Sequence, residues 1–134
     1  MDEIMAVIPV MPSGGFSLLH QNMREARMNG MPSNMATPQT YYWFYQQVRN
    51  HGSWDYQQKD RTWANFGNFN YGATGTAAGI PPNILLMGAG WAQSRAGTSQ
   101  PEWKRGYQEP PYGDDPRDQC WIQQGIDYAK QYSY

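Results

Sequence analysis

The run Gly72-Ala73-Thr74-Gly75-Thr76-Ala77-Ala78-Gly79 is the feature that most restricts how this chain can fold. Each glycine inside a helix costs about 1 kcal/mol relative to alanine. A protein accepts that loss where two backbones must pack closely or where a ligand approaches the main chain. Dense aromatic sequence precedes the run, with Trp54-Asp55-Tyr56 followed by Phe66-Gly67-Asn68-Phe69-Asn70-Tyr71. The segment from Trp54 to Ala96 is therefore where the packing and the chemistry are expected to concentrate.

Four segments carry helical character, and none shows a convincing run of strand alternation. The first follows Ser13-Gly14-Gly15, places Phe16, Leu19, Met23, Ala26 and Arg27 at three- and four-residue spacings, and stops at Gly30. Beyond the turn-rich stretch Ser33–Pro38, a second starts at Thr37 with Pro38 in its first turn and carries Tyr41, Tyr42, Phe44, Tyr45 and Val48. An aromatic run of this kind also suits a strand. Pro81-Pro82 opens a third, with an apolar stripe of Ile84, Leu85, Met87, Gly88, Trp91 and Ala92. The last begins at Asp114-Asp115-Pro116, with acids at the positive end of the helix dipole, and turns Ile122, Ile126 and Tyr128 inward.

A chain of 134 residues is one domain's worth and buries enough surface to fold without a metal or a disulfide. Its 14 Gly and 10 Pro predict short elements joined by many turns, with a long polar loop from Ala96 to Gly113. The expected fold is mainly α, a small single domain over residues 1–134 with long Gly/Pro-rich loops. No stretch approaches the ~20 apolar residues of a membrane span. The apolar start is broken by Pro9 and Pro12 and carries Asp2 and Glu3 where a signal peptide is positive, so export is expected to depend on another carrier.

Ten basic and eleven acidic side chains give a net charge of -1. That argues against a protein that holds nucleic acid by a strong positive field, although a local basic patch remains compatible. There is no phosphate-binding glycine loop, serine elbow, zinc-protease motif or cysteine pair. Cys120, the sole cysteine, stands in an apolar-flanked helix and reads as an inert thiol. No metal and no cofactor is assigned.

Asp55, between Trp54 and Tyr56, suits a partly desolvated general acid, or else a helix cap or turn residue. His51, four residues earlier and near Arg49 and Lys59, suits a general acid or base, or a helix C-cap. Asn68, Asn70 and Tyr71 offer hydrogen bonds to a polar substrate, and His20 reads as structural. Of the acids Asp114, Asp115 and Asp118, Asp115 reads as a cap before Pro116 and Asp118 stays open. With no second carboxylate motif beside them, a divalent cation is not supported.

Taken in order, these motifs are a pattern: Trp54-Asp55-Tyr56, Phe66 to Gly75, Gly88-Ala89-Gly90-Trp91-Ala92-Gln93, Ala96-Gly97-Thr98-Ser99, Gly113 to Gln119, and Gly125-Ile126-Asp127-Tyr128. Together they resemble the bacterial polymorphic toxin type 44 domain. The likeness is strongest over residues 54–134 and weaker over residues 1–36. It implies an interbacterial toxin carried by a large secreted protein or a contact-dependent secretion system such as type VI, with a cognate immunity protein as partner. In that family Trp-Asp-Tyr is followed by Lys and Gln, whereas here Gln57-Gln58 follow and Lys59 is displaced by two. The departure bears on activity if that lysine is catalytic.

Charge and composition favour a peptidoglycan hydrolase acting in the target periplasm. In that reading Asp55 is the general acid, and Asp60, Asp115 or Asp118 is the second acid. Trp54, Tyr56, Gln57, Lys59, Asn68, Asn70 and Tyr71 are the expected substrate contacts, with His51 and Asp118 completing the catalytic set. The alternatives are a metal-independent ribonuclease acting in the cytoplasm through His51, Asp55, Lys59 and Arg61, and a non-catalytic binding module.

Overall fold

The computed structural model describes residues 8–30, 35–95 and 110–134. The loop expected from Ala96 to Gly113 lies outside the described residues over 96–109, as does the apolar start over 1–7. Among these residues six α-helices form: α1 (Gly15–Met28), α2 (Pro38–Val48), α3 (Tyr56–Lys59), α4 (Ala64–Ala77), α5 (Pro82–Arg95) and α6 (Pro116–Gln131). A single 3-10 turn, Arg61–Trp63, leads into α4, and no strand occurs among the described residues. The fold is mainly α.

Local chemistry sets most of the boundaries. Thr37 caps α2 in a reciprocal box with Thr40, and Pro38 fixes the first turn. The carboxylate of Asp115 accepts the Arg117 N–H at 2.9 Å and starts α6 ahead of Pro116. The aromatic run Tyr41–Tyr45 is helical, within the helix that this capping box and proline start.

The glycine-bearing run forms the second half of α4, the central helix, against which α6, α1 and α5 all pack. Its low helix propensity is offset by close approach to α6. A Cβ on Gly72 would lie 2.1 Å from the Ile122 carbonyl oxygen, and one on Gly125 would lie 2.0 Å from that of Phe69. Two glycines thus face each other's helix backbone, and no larger residue fits at either. The core around this contact contains Leu19, Met23, Phe66, Phe69, Ile122 and Ile126, all fully buried.

Three sequence expectations change. Phe16 points outward from α1 and is 52% exposed, because Leu19, Met23 and Ala26 already fill the face toward α4. The stripe on α5 is only partly covered: Leu85 is buried, whereas Trp91 is 57% exposed. Cys120 is exposed, since the inward face of α6 is set by Ile122, Gly125, Ile126 and Ala129.

Candidate functional site

The uncovered side of α5 is one wall of a cleft of about 660 Å³. The facing wall is α2, and the segment from Arg49 to Gln57, the start of α4 and the first turn of α6 complete it. Along α2, Tyr41, Phe44, Tyr45, Val48 and Arg49 all line the cleft, as the three- and four-residue spacing of one helix face requires.

The aromatic residues at its base are fixed by packing and hydrogen bonds. Trp54 is buried and edge-on to Trp43 and Phe44, and its backbone N–H donates to the Gln47 backbone carbonyl at 2.8 Å. Tyr56 is buried edge-on to Phe66, and its hydroxyl accepts from the Asn22 amide at 2.8 Å. The Tyr71 hydroxyl donates to the Leu85 carbonyl at 2.6 Å and ties α4 to α5. Burial, and secondarily the charge of Asp114, raise the Tyr71 phenol above its ordinary range. These three rings shape the cleft, and the rings open to a ligand are others.

Asp55 reaches the cleft half-buried, and its carboxylate accepts the His51 N–H at 2.7 Å. That bond holds the loop while His51 adopts a left-handed conformation with φ 65°. Lys59 closes the same loop from outside: its ammonium donates to the Ser53 carbonyl at 2.6 Å and lies 4.7 Å from the Tyr56 ring centroid. A hydrogen bond between Ser53 and Gln47 joins the loop to the end of α2.

Acidic groups enter from the start of α6. Asp114 is 3% exposed; its carboxylate accepts from the Gln119 amide at 2.8 Å and from the Asp115 N–H at 2.9 Å. Gln119 also donates to the Leu86 carbonyl at 3.0 Å, so it links this carboxylate to α5. Burial raises Asp114 above the usual carboxylate range despite these bonds. One turn on, Asp118 lines the cleft, and its carboxyl is pushed up to about 6. Burial is the main cause, the negative charges of Asp114 and Asp115 add to it, and Arg117 opposes it. Asp115 is instead held below its ordinary range by its ion pair with Arg117 at 2.6 Å.

The cleft therefore brings together Trp54, Asp55, Tyr56, Gln57, Asn68, Tyr71 and Asp118 from the residues singled out in the sequence. His51, Lys59, Asp60, Arg61, Asn70 and Asp115 lie outside its lining. His51 is exposed on the loop and Lys59 staples it. Asn70 is fully buried: its carbonyl oxygen accepts from Asn22 at 3.0 Å, while its amide nitrogen has no hydrogen-bond partner. Asp60 caps the 3-10 turn through Thr62, away from the cleft. His20 is structural, bonded to the Tyr128 hydroxyl at 2.7 Å.

Sequence reasoning passed over Asp114, Tyr41, Tyr45, Arg49 and Trp91 as site residues. The helical spacing of Tyr41, Tyr45 and Arg49 carried that signal, but aromatic residues on a helix are more often core. Chemically, the cleft pairs a carboxyl that is partly protonated near neutrality with further carboxylates, between aromatic and amide side chains. Arg49 is the sole Lys or Arg in the lining among the described residues. No cluster of three or more His, Cys, Asp or Glu that could hold a metal, and no helix long and apolar enough to cross a membrane, occurs among them.

No curated protein and no solved structure matches the chain. A family model does, and it covers the cleft from α2 to α6. Matched over residues 34–131 by the model described as Bacterial toxin 44, the chain belongs to that family of bacterial toxins.

Proposed function

We propose that this toxin domain is a peptidoglycan hydrolase that cleaves the glycan strand. The observation that carries the reading is that Asp118 and Asp55 both line one cleft, among aromatic and amide side chains. A glycosidic bond breaks when an acid protonates the leaving oxygen and a second carboxyl group supports the oxocarbenium-like sugar or activates water. Asp118 suits the acid role, because a carboxyl held at about 6 keeps about a tenth of its protons at pH 7. Asp55 is the second carboxylate, oriented by the His51 N–H. Asp114, buried and bonded to Gln119, is a positioning residue in this reading: its charge adds to the burial that keeps the proton on Asp118.

What weighs against the ribonuclease reading is the placement of its machinery. His51, Lys59 and Arg61 lie outside the lining, and three aspartates inside it oppose a phosphodiester. In the proposed reading the domain is an antibacterial effector, carried into a target cell by a secretion apparatus or carrier protein and neutralised in its producer by an immunity protein.

The test is digestion of purified sacculi by the domain and by Asp118→Asn, followed by reducing-end assay and chromatography of the fragments. New reducing ends from the unaltered protein alone support the reading. Release of peptides without reducing ends, or equal activity from Asp118→Asn, overturns it.

A further inference from the structure

Two rings on one face of α2 and one on α5 are open where the base of the cleft is closed. Tyr41 is 37% exposed, Tyr45 54% and Trp91 57%, and all three line the cleft. Buried Trp54 and Tyr56 cannot take a stacking ligand, so any stacking falls to these three. Tyr41 and Tyr45 stand one turn apart, about 6 Å along the helix, and Arg49 follows at the same interval. Arg49 is exposed and lines the cleft, and its guanidinium has no ion-pair or hydrogen-bond partner among the described residues, its backbone alone being bonded, to Tyr45 and Gly52. Across the cleft the Arg95 guanidinium lies 5.3 Å from the Trp91 ring centroid, one turn along α5.

We infer that this cleft is a linear glycan-binding track in which Tyr41 and Tyr45 from α2 and Trp91 from α5 stack sugar rings of one strand and Arg49 receives a carboxylate that the strand carries. The inference rests on the hydrolase reading and narrows its substrate to a glycan bearing carboxylates, as peptide-substituted peptidoglycan does, over a neutral N-acetylglucosamine polymer. Flat aromatic faces stack on the C–H faces of pyranose rings without needing charge, which suits a helix face with two phenols in register. A polyanion is the poorer occupant. Asp55, Asp114 and Asp118 repel a chain with one phosphate per residue, whereas a carboxylate on a side branch can reach Arg49 while the sugar passes the acids. Arg also offers paired N–H donors that match a carboxylate.

The experiment measures binding in an Asp118→Asn background, which removes cleavage and leaves the track intact. The probes are purified sacculi, a soluble muropeptide dimer, chitohexaose and a single-stranded RNA decamer. Tyr45→Ala with Trp91→Ala is expected to weaken sacculus and muropeptide binding about tenfold or more, while Tyr45→Phe with Trp91→Phe retains most of it. Arg49→Met is expected to weaken muropeptide binding about tenfold and to leave chitohexaose unchanged. All of these side chains are exposed, and unchanged circular dichroism and melting confirm folded variants.

Sacculus binding that ignores Tyr45 and Trp91 overturns the track, even if the unaltered protein cleaves sacculi. An equal effect of Arg49→Met on charged and neutral glycans overturns the carboxylate assignment. RNA bound through the same rings more tightly than muropeptide overturns the ligand class. Binding that depends on the rings, with no reducing ends released by the unaltered protein, supports the track and removes the hydrolase reading instead.

Discussion

Asp118 is under opposite pressures for stability and for chemistry. Its carboxyl is raised from 3.8 to about 6 in the folded protein, so folding disfavours its ionised form. The folded state is therefore at no disadvantage from this group below the unfolded value and loses stability as the pH rises through about 6. Asp118→Asn removes the penalty: stability should rise by on the order of 2 kcal/mol at about pH 8 and change little at about pH 3, read from urea melts at both. Hydrolysis should move the other way. If Asp118 is the acid of the proposed hydrolase it must hold its proton, so the rate should fall as pH passes about 6, and Asp118→Asn should lose activity at every pH. A variant both more stable and inactive would identify this carboxyl as functional rather than structural. Asp55 is the contrasting case. Loss of its bond to the His51 N–H should lower stability by about 1 kcal/mol in Asp55→Ala, alongside any loss of activity. Both aspartates were legible in the sequence as candidates because they stand beside aromatics or beside other acids. Asp114 was not, since an acid ahead of a helix-starting Asp-Pro reads as a dipole partner, and only the fold buries it.

At the scale of elements, the sequence revealed four helices through their caps and spacing but not the centre of the fold. Thr37-Pro38 and Asp115-Pro116 announce α2 and α6 by local chemistry that needs no tertiary context. Helix α4 announces itself poorly, because its glycines serve a neighbour distant in sequence. Gly72 and Gly125 exist for each other's helices, and spacing along one strand of text cannot display a pair 53 positions apart. Gly72→Ala should therefore cost about 3 kcal/mol or unfold the domain, since its Cβ meets a backbone carbonyl that cannot move without shifting α6. Gly67, five residues earlier on α4, is the control. Its added Cβ would meet nothing nearer than 3.8 Å, so Gly67→Ala should gain about 0.5–1 kcal/mol from helix propensity. Denaturant midpoints of the two variants separate backbone contact from propensity within one helix. The exposure of Trp91 has the same origin as the hidden role of α4. An apolar stripe predicts burial, and only the arrangement of α2 across from α5 leaves that stripe facing an open cleft.

Over the whole molecule, near-zero net charge and a locally acidic cleft act together. A protein with ten basic and eleven acidic side chains has little field to gather a polyanion, and the aspartates at the cleft make the local balance less favourable still. A toxin built this way should depend on where it is placed rather than on how much is made. Peptidoglycan lies outside the inner membrane, so on the hydrolase reading the domain acts only where it is delivered to that side. Expressed in a susceptible Gram-negative host behind a periplasmic signal, the domain should cause rounding and lysis. The same chain left in the cytoplasm should be tolerated. Asp118→Asn behind the signal separates enzymatic damage from the burden of export, because its fold is retained or strengthened while its acid is gone. Lysis by that variant would mean the harm lies in the protein's mass at the envelope and not in its chemistry. Killing from the cytoplasm without lysis would instead point to a polyanion bound despite the acids, and rRNA and tRNA integrity on a gel would decide it. Periplasmic lysis that needs Asp118 is the outcome in which charge, cleft and compartment agree.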